Sequence, residues 1–167
     1  SKFENKIDSY VNESVKKYFS RLRYALYVIF HPFDGFWDLK FEGKGSILSA
    51  TTILLVTSLS YVFTKIYTGF IFNAIQLSEF NVYTELVSII VPVLLWCGVN
   101  WGLTTLMEGK GSLKAVYIAT AYSLTPMVVI LLPLIPVSHM LTLAEASFYN
   151  LLFVLPIIWF ASLVLIL

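Results

Sequence analysis

Charge is scarce in this chain: only 13% of its 167 residues are Asp, Glu, Lys or Arg and 58% are hydrophobic, against about 25% and 45–50% in soluble domains. A single cysteine leaves no internal disulfide, which excludes a secreted disulfide scaffold. A formal charge of +1 lacks the basic excess that binding to a phosphate backbone needs, so a nucleic-acid partner is excluded. The two histidines, His31 and His139, stand far from each other and from Cys97, with no metal-ligand spacing. No nucleophile, base and orienting group can be assembled, so neither metal, cofactor nor catalysis is expected. What the chain has in excess is aromatic and aliphatic side chains, with 13 Phe, 10 Tyr and 4 Trp, too many for a solvated coil.

The few charges are unevenly placed. Up to Ser46 there are eight Lys or Arg and six Asp or Glu; beyond it there are three and four. The first 30 residues alternate in charge and show no apolar core of a signal peptide. Four apolar runs follow, Ile47 to about Thr64, Leu86 to Met107, Ala115 to about Pro136 and Ser147 to Leu167. Each approaches the ~20 residues a helix needs to cross a hydrocarbon core. The expected fold is an all-α polytopic transmembrane bundle over 47–167, preceded by an N-terminal region, 1–46, carrying an amphipathic helix and an aromatic turn. With residues 1–46 and the loop Glu108 to Lys114 on one side, that side holds every basic residue except Lys65. The positive-inside bias then puts the N-terminus in the cytoplasm and the protein in the cell membrane.

Between residues 10 and 30, Val11, Val15, Tyr18, Phe19, Leu22 and Leu26 recur at helical spacing opposite Lys16, Lys17 and Arg21. Such a helix lies in a membrane interface, with Lys16, Lys17, Arg21 and Arg23 toward acidic headgroups, or packs its stripe on the bundle or a partner protein. Pro32 ends it. Phe33, Phe36 and Trp37 follow in an expected turn about Asp34-Gly35, at headgroup depth.

The pentapeptide Glu-Gly-Lys-Gly-Ser occurs twice, at Glu42–Ser46 and Glu108–Ser112, before the first and third runs. Its glycines suit a tight turn and Ser46 and Ser112 suit N-caps. A sharper reading makes Lys44 and Lys110, near helix N-termini, an anion site for acidic lipid headgroups. The second run holds Gly98-Val99-Asn100-Trp101-Gly102, a Gly-x-x-x-Gly face for close helix packing or a homo-oligomer, with Asn100 needing a partner. The Tyr122 carbonyl, deprived of a donor by Pro126, is one candidate. Ala115, Ala119 and Ser123, and on the first run Ser49, Thr52, Ser60 and Thr64, are small or hydroxyl stripes expected to meet inside the bundle. Thr142-Leu143-Ala144-Glu145 fits a capping box.

The run Tyr24 to Lys40, then Asn100-Trp101, the second pentapeptide, Tyr117-Ile118-Ala119 and Ala121 to Pro126, resembles the bacterial branch of the Yip1 domain family over roughly residues 24–160. The resemblance implies a multi-pass protein with a cytosolic N-terminus and five transmembrane helices. It implies continuation past Leu167 into a polar loop and a fifth helix, and the missing start methionine suggests residues before Ser1. Eukaryotic relatives act in vesicle trafficking and contact prenylated Rab GTPases. The expected role is a non-enzymatic membrane-organising or adaptor subunit, with an ABC-type transport complex as a candidate membrane partner. The alternative is a small-molecule or lipid transporter working through Pro92, Asn100 and Pro126.

Overall fold

The computed structural model describes residues 2–68, 81–107, 111–141 and 145–166, and among these every regular element is a helix. Seven follow in order: α1 (Lys2–Phe30), α2 (Pro32–Phe41), α3 (Ile47–Tyr67), α4 (Val82–Leu106), α5 (Leu113–Ser123), α6 (Thr125–Met140) and α7 (Ala146–Ile166). Four stretches are long and apolar enough to cross a membrane: α3, α4, α5 with α6, and most of α7. Three of the expected runs are thus single helices, and the third is a pair.

The pairing has a local cause. Pro126 brings no N–H, and the ladder shifts at Leu124, whose N–H reaches the Ala121 carbonyl at 3.1 Å. The Tyr122 carbonyl is satisfied by the Thr125 hydroxyl at 2.7 Å. Asn100, expected as its partner, instead donates to its own helix at the Trp96 carbonyl, 3.3 Å away.

α3 and the α5–α6 unit form the centre, with 50% and 56% of their apolar windows buried, while α4 and α7 lie outside with 11% and 17%. α3 tolerates this position because its hydroxyls cap their own turns. Thr57, Ser58, Ser60 and Thr64 each donate to the carbonyl four residues back, so these four hydroxyls of α3 sit in the centre with their donors matched. One end of the bundle is tied by Lys65 to Glu85 at 2.7 Å and by His139 Nε2 to the Tyr67 carbonyl at 2.7 Å.

The other end carries α1 and α2, which fold back on each other as a hairpin. Residues expected to turn around Asp34-Gly35 are helical instead. Pro32 occupies the first turn, where its missing N–H costs nothing, and Gly35 is buried against Val28 of α1. At the hairpin tip Phe30 meets Trp159 of α7 edge-on, ring centroids 6.0 Å apart. Trp159 precedes the end of α7 by seven residues, so the tip reaches about 10 Å below that end.

Candidate membrane-interface site

The first pentapeptide joins the hairpin to the bundle, and each of its residues has a separate task. Glu42 closes α2, its N–H on the Asp38 carbonyl at 3.0 Å. Gly43 takes φ +62°, the left-handed conformation in which helices commonly end on glycine. Gly45 passes so close to α5 that a Cβ there would lie 2.6 Å from Ile118 Cγ2. Ser46 caps α3 by accepting from the Ser49 N–H at 3.1 Å, and the Ser49 hydroxyl returns the contact to the Ser46 N–H at 3.2 Å.

Lys44 turns back to the hairpin. Its Nζ is 2.5 Å from Asp38 Oδ2 and 2.7 Å from Glu42 Oε2. The Tyr24 hydroxyl donates to the same Asp38 oxygen at 2.7 Å, so a carboxylate on α2 holds α1 and the linker together. The Lys44 ammonium and the Tyr24 hydroxyl hold the Asp38 carboxyl below the usual carboxylate range. The Asp38 and Glu42 carboxylates raise the Lys44 pKa. Burial first, and then the Asp38 hydrogen bond and charge, raise that of Tyr24. Lys44 as a headgroup site is corrected by this geometry, because two carboxylates already occupy its charge. Lys110 and Thr142 lie outside the described residues. In the second copy Gly111 packs against Thr104 as Gly45 does against Ile118, and Ser112 caps α5 through the Ala115 N–H at 3.2 Å.

Tyrosines anchor the inner face of α1. Tyr18 meets Thr52 Oγ1 at 2.6 Å. The Tyr122 hydroxyl donates to the Arg21 carbonyl at 3.1 Å and stands 2.9 Å from Ser49 Oγ. Ala25, Val28 and Ile29 are buried on this face. The stripe of α1 is therefore divided: these residues pack on the bundle, while Val15, Phe19, Leu26 and Phe30 point outward. Lys16, Lys17 and Arg23 border that outward row and are exposed; Arg21 is half-buried. On α2, Phe33, Trp37 and Phe41 continue the exposed aromatic row at intervals of four, whereas Phe36 turns inward onto the core.

Beside α2 the bundle opens into a groove of about 420 Å³. Phe33, Trp37 and Lys40 edge it from α2, Asn100 and Thr104 wall it from α4, and Val164 from α7. Ala115 and Ala119 of α5 form its floor. This corrects the expectation that they meet the α3 hydroxyls, since α5 turns Tyr117 and Tyr122 to Thr51 and Ser49 instead. Gly98 and Gly102 do not serve as an internal packing face, for a Cβ at either meets no atom within 4 Å. Pro126 is fully buried and Pro92 exposed, so these prolines and Asn100 are not brought to one cavity.

Sequence reasoning missed Tyr24, Asp38 and Lys40. Asp38 and Lys44, opposite charges flanking a glycine turn, were the available signal.

No curated protein and no solved structure gives a significant match to the chain. The family model of the Yip1 domain matches residues 26–167, from the last turn of α1 through all four spanning stretches. This multi-pass membrane protein belongs to the Yip1 domain family.

Proposed function

We propose that the protein is a non-enzymatic membrane-organising or adaptor subunit whose α1–α2 hairpin sits in the cytoplasmic leaflet of the cell membrane. The observation that carries this reading is the outward row of Phe19, Leu26, Phe30, Phe33, Trp37 and Phe41, exposed on a hairpin whose opposite face is locked to the bundle. A helix with separate bundle, apolar and cationic faces is suited to half-immersion at an interface. The basic residues at the hairpin end support a cytoplasmic orientation, since Lys65 at the far end is paired with Glu85. In its adaptor form the same row and its cationic border take a membrane partner, with an ABC-type transport complex as the candidate.

The test uses full-length protein in lipid nanodiscs, with Trp37 as the remaining tryptophan and nitroxide-labelled lipids as quenchers. Quenching strongest from a shallow nitroxide is expected; Trp37 quenched only by aqueous agents overturns immersion of the hairpin. Cysteine labelling at Ser14 and Thr84, in a Cys97→Ala background, reports the orientation. Reagent reaching Ser14→Cys from outside intact cells overturns it. For the adaptor form, cross-linking before extraction should capture a membrane partner that is lost when Lys16, Lys17 and Arg23 are reversed in charge. Repeated recovery of the chain alone removes that form.

A further inference from the structure

The groove beside α2 has features that the hairpin's surface role does not use. Its lining is small or apolar at Ala115, Val116, Ala119 and Val164 and polar at Lys40, Asn100 and Thr104. Its volume of about 420 Å³ falls in the range of ligand sites, about 300–1,000 Å³. Depth can be read from the helices. Asn100 precedes the end of α4 by six residues and Ala119 follows the start of α5 by six, placing both about 9 Å into the spanning zone. The groove therefore runs from the membrane edge into hydrocarbon. The helices on either side, α4 and α7, turn apolar side chains outward, among them Val99, Leu103 and Ile158, so a molecule already in the bilayer has access from the side.

Charge selects among such molecules. Lys40 is the charged side chain in the lining. Its Nζ lies 5.4 Å from the Phe41 ring and forms no ion pair with a described residue. This contrasts with Lys44 on the same hairpin, whose ammonium is already held by two carboxylates. A long flexible stem lets Lys40 reach headgroup level while its methylenes stay on the aromatic edge. Lower down, the Asn100 amide nitrogen is used by Trp96, while its oxygen accepts from no described residue. A second helix would satisfy the apolar part but leave the lysine unmatched; a water-soluble anion would satisfy the lysine but not the apolar depth. An anionic glycerophospholipid satisfies both.

We propose that this groove is a binding site for one anionic glycerophospholipid, with an acyl chain over Ala115 and Ala119 and the phosphate at Lys40. The groove shares Phe33, Trp37 and Phe41 with the hairpin's outward row, so the proposal rests on the membrane placement of that hairpin, but it needs no protein partner.

The test is native mass spectrometry of the full-length protein exchanged into nanodiscs of phosphatidylcholine with or without phosphatidylglycerol. One phosphatidylglycerol should stay with each chain, retained at least about tenfold over phosphatidylcholine. Ala119→Phe fills the floor and should abolish retention of both lipids. Lys40→Gln, at an exposed position, should remove the preference between them while leaving a bound lipid and the thermal melting of the parent. The proposal is overturned if Ala119→Phe, with unchanged thermal melting, retains phosphatidylglycerol as the parent does. It is equally overturned if Lys40→Gln keeps the full preference, or if Ala119→Cys cross-links two chains, which would assign the groove to a second copy. Loss of hairpin immersion in the Trp37 experiment with lipid retention intact would separate failure of the functional reading from failure of this site.

Discussion

The Tyr24 hydroxyl and Asp38 Oδ2, on opposite arms of the hairpin, are 2.7 Å apart, and Lys44 closes on the same oxygen at 2.5 Å. One carboxylate thus links α1, α2 and the linker into α3. Replacing it by Ala strands a tyrosine hydroxyl and an ammonium together. Asp38→Ala should speed hydrogen exchange of the α2 amides while exchange in the core of α3 stays unchanged. Tyr24→Phe, which leaves the Asp38–Lys44 pair intact, should have a smaller effect. Equal effects from the two variants would show that the ion pair contributes nothing to hairpin docking.

The same cluster sets a pH window. Asp38 titrates below its ordinary value in the folded protein, so its contribution is complete above the unfolded carboxylate pKa of about 3.9 and is lost as pH falls through the lowered folded value. Lys44 and Tyr24 titrate above their ordinary values. Their contributions are complete below about 10 and are lost as pH rises through the folded values. Hairpin docking, followed by Trp37 fluorescence, should be flat across neutral pH and loosen at both extremes. Asp38→Asn should abolish the acid limb.

These residues show where sequence reasoning works and where it stops. The spanning stretches were legible because a bilayer demands about 20 apolar residues whatever the packing. Ser46 and Ser112 were legible because capping is local, decided within three residues. Asp34-Gly35 reads as a turn by composition, yet burial of Gly35 on Val28 makes it helix, a tertiary contact overriding local preference. The division of the α1 stripe was not legible, since Ile29 and Phe30 are both apolar and only the position of the bundle decides which is buried. Lys44 was misread for a similar reason: its partner Asp38 becomes a neighbour only after α2 has formed.

Two glycines that look equally suited to packing should behave oppositely. At Gly45 a methyl group would come within 2.6 Å of Ile118 Cγ2 and 2.9 Å of Leu39 Cδ2, and both neighbours are buried. Gly45→Ala should destabilise the protein by about 1–3 kcal/mol, the usual range for overpacking. At Gly98 the space is open, so Gly98→Ala should be neutral or slightly stabilising through helix propensity, worth up to about 1 kcal/mol. Thermal melting in one detergent compares them directly. A larger loss from Gly98→Ala would place a helix against that face.

Tyr122 joins three segments, with its hydroxyl on the Arg21 carbonyl and beside Ser49 Oγ, while its ring is fully buried next to the break in the third span. Tyr122→Phe keeps the ring and removes the hydroxyl, a loss of about 1–3 kcal/mol for two hydrogen bonds at about 0.5–1.5 each. Ser49→Ala removes one of the same contacts together with its return contact to the Ser46 N–H at 3.2 Å. The double variant should therefore lose less than the two singles combined, because the shared contact is counted in both. Reversible unfolding in mixed micelles measures the three values. Strict additivity would mean that the Tyr122–Ser49 contact carries no energy and that the Tyr122 hydroxyl acts through the Arg21 carbonyl alone.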